Sequence, residues 1–282
     1  MATVGLLHPG EMGAAVGGCL VTAGHTVLWD PAGRSRATTG RALAAELTGT
    51  DLESVVARSS VILSVCPPHA ALDVARQVAA TGFGGVYVDA NAISVAAAVR
   101  VASIVTAAVA AYVDGGIIGL PPDGSGRTRL YLSGDRAAEV RELFRRSALD
   151  ARIAQGPHGE PYAASAVKMA YAAWTKGTGA LLLACRALAR AEGVEATLLE
   201  EWRMSQPALR EQSERSADMA AAKGWRWVAE MEEIAASMAA AGLPPGFHQA
   251  AAEIFDRAAH ADEPRAGAAS GDGLDTVLSA LT

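Results

Sequence analysis

The sequence predicts an α/β fold: an N-terminal doubly wound, mostly parallel sheet over residues 1–158, followed by an all-α C-terminal domain over residues 159–282. Three observations carry that expectation. The chain opens on a strand–turn–helix–strand unit, TVGLLHPGEMGAAVGGCLVTAGHTVLWD. Short apolar runs then alternate with helical patterns to about residue 155, as parallel strands joined by crossover helices require. From Tyr162 onward almost every segment is Ala-rich and helical, with few β-branched runs.

The opening strand, Val4 to Leu7, meets the turn His8-Pro9-Gly10-Glu11-Met12-Gly13; a small-residue helix and a second strand ending at Asp30 follow. Gly10 lets backbone approach a pyrophosphate, and Gly13 lets the helix pack on the strand. The helix N-terminus offers N–H groups to an anion. With an acidic residue about 20 positions on, this is the layout of a dinucleotide-binding fingerprint, and NAD or NADP is the expected cofactor. His8, Pro9, Gly10, Glu11 and Met12 are the residues expected to hold it. His8 stands where the fingerprint has Gly, and Pro9 removes one donor and biases His8 toward extended backbone. The alternative is a Gly-rich turn that packs well and binds nothing.

Val61 to Val65 and Val86 to Asp89 read as buried strands, with helices near Ala70–Ala79 and Ser94–Ala108. Tyr112–Asp114 reads as a later strand and Thr128–Ser133 as an extended, more antiparallel one. Ligands of such sheets bind beyond the carboxyl ends of the strands. Those ends carry Asp30, Cys66-Pro67, Asn91, and Asp114-Gly115-Gly116. Asp30 favours the ribose hydroxyls of NAD, whereas Arg34, Ser35 and Arg36, with Arg41 beyond, suit the 2′-phosphate of NADP. Three phosphate-compatible side chains against one carboxylate make NADP the expectation and NAD the alternative.

The domain boundary is expected near 155–162, after the loop Gln155–Gly159. The helix SAVKMAYAAWTKGTGALLLA follows it. The chain has three lysines against 21 arginines, and Lys168 and Lys176 are both here. Lysine, unlike arginine, can give up its proton when desolvated, so Lys168 is the candidate general acid or base, the alternative being a snorkelling surface residue. Lys168, Tyr171 and Thr175 share one helical face, with Lys176 turned about 80° away. Trp225, Trp227, Glu230 and Glu233 read as core plus solvated edge, and His248 as a residue of a helix start. A Gly/Ala/Ser stretch, Gly267–Gly273, sets off a last short helix.

Composition excludes several classes. Half the residues are hydrophobic and 19% charged, so the chain is globular. A net charge of −6 with scattered arginines argues against nucleic acid. Cys19, Cys66 and Cys185 lie apart in apolar segments and read as reduced buried thiols. No cluster has metal-ligand spacing, and no GxSxG or Cys–His arrangement suggests a hydrolase. The longest uncharged stretch, Val101–Val113, is too short to span a bilayer. With a strand beginning at residue 3 there is no room for a signal peptide, and a soluble cytoplasmic chain is expected.

With these residues in view, the chain resembles the β-hydroxyacid dehydrogenase family, relatives of 6-phosphogluconate and 3-hydroxyisobutyrate dehydrogenases, over nearly its whole length. Gly5–Gly13 match the family's GxIGxGxMG apart from His8. Asp89-Ala90-Asn91-Ala92 correspond to D-x-S-T, and Asp114-Gly115-Gly116-Ile117-Ile118-Gly119 to S-G-G-x-x-G. MEEIAASMAAAG resembles KDLxLAxxxAxxxG, and GDGLD the closing GxGDxD. The resemblance implies a Rossmann-type NAD(P)-binding domain, an all-helical substrate and dimerisation domain, and a homodimer. It also implies that Lys168 exchanges a proton with the substrate hydroxyl, and that Gly115 and Gly116 contact a substrate anion. Asn91, Asp114 and Tyr171 fall at the remaining substrate positions.

The departures are Tyr171 for Asn, Asn91-Ala92 for Ser-Thr, Asp114 for Ser and Glu232 for Lys. They imply a substrate that is larger, less anionic or even cationic. The chain is similar in particular to a subgroup with HPGEMG, a GRS turn and a KMxYAxxxKG helix. The expected function is hydride transfer between nicotinamide and a small hydroxy acid or related hydroxyl or carbonyl compound. The rivals are an imine reductase-type activity, against which Lys168 counts, and a non-catalytic NADP-binding or sensing module.

Overall fold

The apolar runs of the first half line up into a sheet of eight strands in the order β3-β2-β1-β4-β5-β6-β7-β8. A computed structural model describes residues 1–108, 110–124, 127–156, 158–261 and 273–282. Its elements begin β1 (Thr3–Leu7), α1 (Glu11–Thr22), β2 (Thr26–Trp29), α2 (Arg36–Ala44), β3 (Thr48–Gly49), α3 (Leu52–Arg58) and β4 (Val61–Ser64). They continue α4 (Ala71–Ala80), β5 (Val86–Asp89), α5 (Val95–Ala107), β6 (Ala111–Ile118), β7 (Arg129–Ser133), α6 (Ala137–Leu143) and β8 (Asp150–Ile153). Helices α7 (Ala163–Ala191), α8 (Glu195–Ser205), α9 (Leu209–Ala240), α10 (Gly246–Ala259) and α11 (Gly273–Leu281) complete the chain. Most of the Gly267–Gly273 stretch, and Gly271-Asp272 of the closing motif, lie outside the described residues.

The strands from β3 to β6 are all parallel, and β7 runs antiparallel to β6, as its extended sequence suggested. Alternate side chains enter opposite cores. Leu6, Leu63 and Val88 pack on one face with Val16, Leu20 and Phe144. Leu7, Ile62 and Tyr87 pack on the other with Val74, Val78 and Val101. Burial on both faces is why these strands read as unbroken apolar runs. Each such side chain removed from water is worth about 1.5–3 kcal/mol.

The chain divides into two compact units, Met1–Met169 and Ala170–Thr282, a division that falls inside α7. The physical reason is local: the first turn of α7 is hydrogen-bonded to β6 and β7 and belongs with the sheet. In the second unit, buried Arg186 donates to Glu195 and Ser213, and Arg190 donates to Glu195 and Asp275. Those bonds tie α7 to α8, α9 and α11. Gly224 brings α9 against α10, where an added Cβ would lie 2.8 Å from the Phe255 carbonyl.

Two sequence expectations are corrected here. The strand expected to stop at Asp114 continues to Ile118, so Gly115 and Gly116 lie within β6, paired with Leu132 and Tyr131. Glycines read as punctuation are strand residues: α7 lies close over Gly116, and Asp89 and Ala90 lie close to Gly115. His8 is not extended but left-handed, with φ of 67°. It occupies the fingerprint's glycine position and adopts the backbone that glycine would take, despite the cost to a residue with a Cβ. The short elements β3, α2, α3, α6 and β8 are absent from the sequence reading altogether. β8, the outermost strand on one edge, carries the exposed ion pair Asp150–Arg152.

Candidate functional site

The strand order reverses on either side of β1: the chain goes outward through β2 and β3, then returns to β4 on β1's other flank. A crevice opens at the carboxyl ends of strands where such a reversal occurs. A cleft there is lined by Leu6 and Leu7 of β1, His8 after it, Asp30 and Arg34 after β2, Leu52, and Val74 and Gln77 of α4. The turn between β1 and α1 forms its rim. His8 accepts from the Gly10 N–H at 2.8 Å, and Gly13 sits so close that an added Cβ would lie 2.4 Å from the His8 carbonyl oxygen. At Gly10, by contrast, an added Cβ would meet nothing within 4 Å. One glycine closes the turn, and the other leaves space above it.

The start of α1 carries no side-chain cap, as is also true of α4, α6, α8, α9 and α10. Helices α2, α3 and α5 begin with Ser35, Asp51 and Ser94, whose side chains accept from the backbone N–H three residues on. Helix α1 begins at Gly10 with no side-chain cap, and Glu11 and Pro9 flank it. Its first N–H groups have no helical partner, and the helix dipole adds positive potential there. Burial, aided by the charge of Arg34, lowers the His8 pKa to about 4. The ring is therefore neutral at pH 7, and its buried Nδ1 has no hydrogen-bond partner. An open glycine, an uncapped helix start and an orphaned ring nitrogen fit a diphosphate.

Beyond β2, Asp30 accepts from the Ala32 N–H at 2.8 Å, an Asx turn that fixes the loop leading to Arg34 and Ser35. Arg34 is exposed beside the cleft. Ser35 caps α2, and Arg41 donates to Thr38 at 3.1 Å. Of the phosphate-compatible side chains, Arg34 is the one the structure brings to the cleft, together with Asp30.

The ends of β4 and β5 are stapled to each other. Asn91 Oδ1 accepts from the Cys66 N–H at 2.6 Å, and its Nδ2 donates to Ser64 Oγ at 3.1 Å. Asp89 accepts from the Asn91 N–H at 3.1 Å. Asn91 is buried and its amide is engaged within the protein. Burial pushes the Cys66 thiol up to about 12, which keeps it protonated. Burial, with Asp114's charge adding to it against the Asn91 hydrogen bonds, pushes Asp89 up to about 7. Pro67 follows Cys66 at the start of the segment leading into α4.

Asp114 is fully buried within β6. Its carboxylate accepts from Ser133 Oγ, from the Ser165 N–H and from Ser165 Oγ. An added Cβ at Gly116 would lie 2.7 Å from the Ala164 carbonyl oxygen and 3.0 Å from Lys168 Cβ, so the first turns of α7 rest on Gly116. Lys168 is half-buried at this junction. Tyr171 is exposed on the next turn and falls in the second unit.

Sequence reasoning missed Ser133 and Ser165, because only the fold brings them to Asp114. It also missed the buried ion pair of Lys176 with Glu230 in the helical unit, where Lys176 lies 5.4 Å from the Trp227 ring centre. Trp227 packs edge-on against Phe255, while Trp225 is exposed. His248 is buried in the first turn of α10, with Nε2 3.3 Å from the Ala173 carbonyl. Among the described residues no group of three His, Cys, Asp or Glu side chains is placed to hold a metal ion. No described helix is long and apolar enough to cross a membrane.

Comparison with known proteins gives the same fold. Residues 189–258 match the family described as a domain of unknown function (DUF1932). A conserved protein of unknown function, whose structure was described as similar to 3-hydroxyacid dehydrogenases, shares 29% identity and a TM-score of 0.68, over 91% of this chain and 96% of that one. The 3-hydroxyisobutyrate dehydrogenase of Mycobacterium tuberculosis, solved with L-serine, is 19% identical over 99% of both chains, with a TM-score of 0.69. A reductive aminase from Aspergillus terreus, in complex with NADPH and ethyl levulinate, is 19% identical over 98% of both, with a TM-score of 0.57. No curated protein sequence matches significantly. The resemblance read from the motifs therefore holds in three dimensions: the chain has the fold of the 3-hydroxyisobutyrate dehydrogenases.

Proposed function

We propose that this chain is an NADP-dependent oxidoreductase, with NAD as the alternative cofactor, that acts on a small hydroxy acid or related hydroxyl or carbonyl compound. The observation that carries the reading is the turn at the β1 carboxyl end. There Gly10 is open, α1 is uncapped and His8 Nδ1 has no partner, all at the reversal point of a doubly wound sheet. Gly10, Glu11, Met12, Pro9 and His8 hold the diphosphate, and Asp30, Arg34 and Ser35 hold the adenosine ribose and its 2′-phosphate. Cys66, Pro67 and Asn91 form the wall beyond.

The bound dinucleotide supplies or accepts hydride at its nicotinamide ring. Lys168 exchanges a proton with the substrate oxygen: its amine takes the hydroxyl proton in oxidation, and its ammonium returns one to the carbonyl in reduction. Gly116 lets α7 bring that lysine close to β6. Kinship in fold with both 3-hydroxyisobutyrate dehydrogenase and a reductive aminase supports hydride chemistry. A lysine at position 168 supports an oxygen rather than an imine nitrogen as the protonated atom.

Helix α7 presents Val167, Tyr171, Trp174, Leu181 and Leu188 to solvent at spacings of four, three, seven and seven residues, and Trp174 is 74% exposed. Apolar residues at that period form the seam of a helix pair. This supports a homodimer built through the helical half.

The test is NADPH oxidation over a panel of carbonyl compounds and imines, with Lys168→Ala beside the parent. Lys168→Ala should lower turnover by about 10²–10⁴-fold, while nucleotide fluorescence shows unchanged NADPH binding. Undiminished turnover in the variant removes Lys168 from the mechanism. Turnover of imines alone supports the reductive aminase type, and binding of NADPH without turnover supports a sensing module.

A further inference from the structure

Asp114 stands where the related dehydrogenases' motif has serine, and the structure gives it another use. Both of its oxygens are taken by the protein. Oδ2 accepts from the Ser165 N–H at 2.8 Å and from Ser133 Oγ at 3.0 Å, and Oδ1 accepts from Ser165 Oγ. Ser133 Oγ in turn accepts from the Ala164 N–H at 3.0 Å. Ala164 and Ser165 are the second and third residues of α7, whose N–H groups have no helical carbonyl to bond. Asp114 and Ser133, on neighbouring strands, supply the missing acceptors. A carboxylate at a helix N-terminus also interacts favourably with the helix dipole.

Lys168 follows Ala164 and Ser165 by four and three residues, so all three lie on the helical face that meets β6. Gly116 completes the junction, since any side chain there would strike the Ala164 carbonyl at 2.7 Å. Asp114 itself is fully buried, and both of its oxygens accept from the protein. Position along α7 and height above β6 are therefore fixed one turn before the lysine, at Ala164 and Ser165.

We propose that Asp114, acting with Ser165 and Ser133, is a positioning residue that sets the place of the Lys168 amine, and does not bind substrate. This rests on the reading of Lys168 as the acid–base group. A displacement of about 1 Å in a reacting group is enough to cost roughly 10²-fold in rate.

The chain's three lysines make the claim measurable without a known substrate. Reductive methylation with ¹³C-formaldehyde labels Lys168, Lys176, Lys223 and the N-terminal amine for NMR, and Lys168→Ala assigns the first. Asp114→Asn and Ser165→Ala should shift the Lys168 resonance and its titration midpoint, while the Lys176 and Lys223 signals stay in place. Ser165→Thr, which keeps the hydroxyl, should restore the parent signal. Where the carbonyl panel gives turnover, kcat should fall about 10–10²-fold in Ser165→Ala with KM and NADPH affinity retained.

An unmoved Lys168 resonance and midpoint in Ser165→Ala overturns the proposal. So does a rise in KM at constant kcat in Asp114→Asn, which marks Asp114 as a substrate ligand. Should Asp114→Asn fail to fold, Ser165→Ala decides alone, since it removes one hydroxyl and leaves the carboxylate. Full activity of Lys168→Ala would refute the catalytic reading and leave the NMR result standing on its own.

Discussion

At the scale of single residues, the two glycines of the first turn do different work, and the structure separates them. Gly13 lies against backbone: a Cβ there would stand 2.4 Å from the His8 oxygen, and backbone cannot swing away as a side chain tip can. Gly13→Ala should cost about 1–3 kcal/mol, the range for overpacking, and lower the melting temperature accordingly. Gly10→Ala faces open space and should stay within about 0.5 kcal/mol of the parent, as ordinary surface changes do. Its effect should appear instead in NADPH affinity, because the new methyl enters the room left for a diphosphate. A Gly10→Ala chain that binds NADPH as tightly as the parent removes this turn from the cofactor site. Both glycines were legible in the sequence as a fingerprint. The left-handed backbone of His8 was not, since the proline after it argues for extended structure and the closure of the turn overrides that preference.

At the scale of elements, what the sequence revealed follows the physics of burial. β1, β4 and β5 carry side chains into cores on both faces, so they appear as apolar runs bounded by turns. β3 is two residues long and exposed, and α2 has a single buried residue. Such elements leave no period to read. β6 was cut short at Asp114 because a carboxylate and two glycines resemble a turn until Ser165, 51 residues away, is folded against them. The α7 stripe was half legible: its small and apolar residues predicted a helix, but only solvent exposure shows which of them remain uncovered. Trp174→Glu with Leu181→Glu should convert the proposed dimer to monomer in sedimentation velocity while leaving helical content by circular dichroism unchanged. A dimer that survives both charges would place the interface elsewhere.

For the whole molecule, three buried groups pull the pH dependence of stability in opposite directions. The folded pKa of His8 is lowered to about 4, so the unfolded chain binds more protons there as pH drops below about 6.5, the ordinary histidine value. The His8 contribution is thus present above about pH 6.5 and lost as pH falls toward 4. Asp89 is raised to about 7, and Asp114 is raised as well, both chiefly by burial. The folded form of Asp89 holds a proton that the unfolded chain releases, so its contribution is present below about pH 4 and lost as pH rises through 7, and Asp114 acts in the same direction. Between pH 4.5 and 6.5 the two trends offset each other. His8→Gly should therefore show a melting temperature that falls more steeply with rising pH than the parent's, and Asp89→Asn one that falls less or climbs. Parallel melting curves across that interval for parent and both variants would contradict these assignments.

The sheet's outer border has a bearing on how copies of this protein coexist at high concentration. Among the described residues β8 ends the sheet and leaves one row of backbone donors and acceptors without a neighbouring strand, a template on which another chain could add itself. Asp150 and Arg152 project from that same short strand as a solvated pair. Any newcomer would have to strip water from both charges before its first rung formed, so crowding meets a guarded margin there rather than a seed for fibrils.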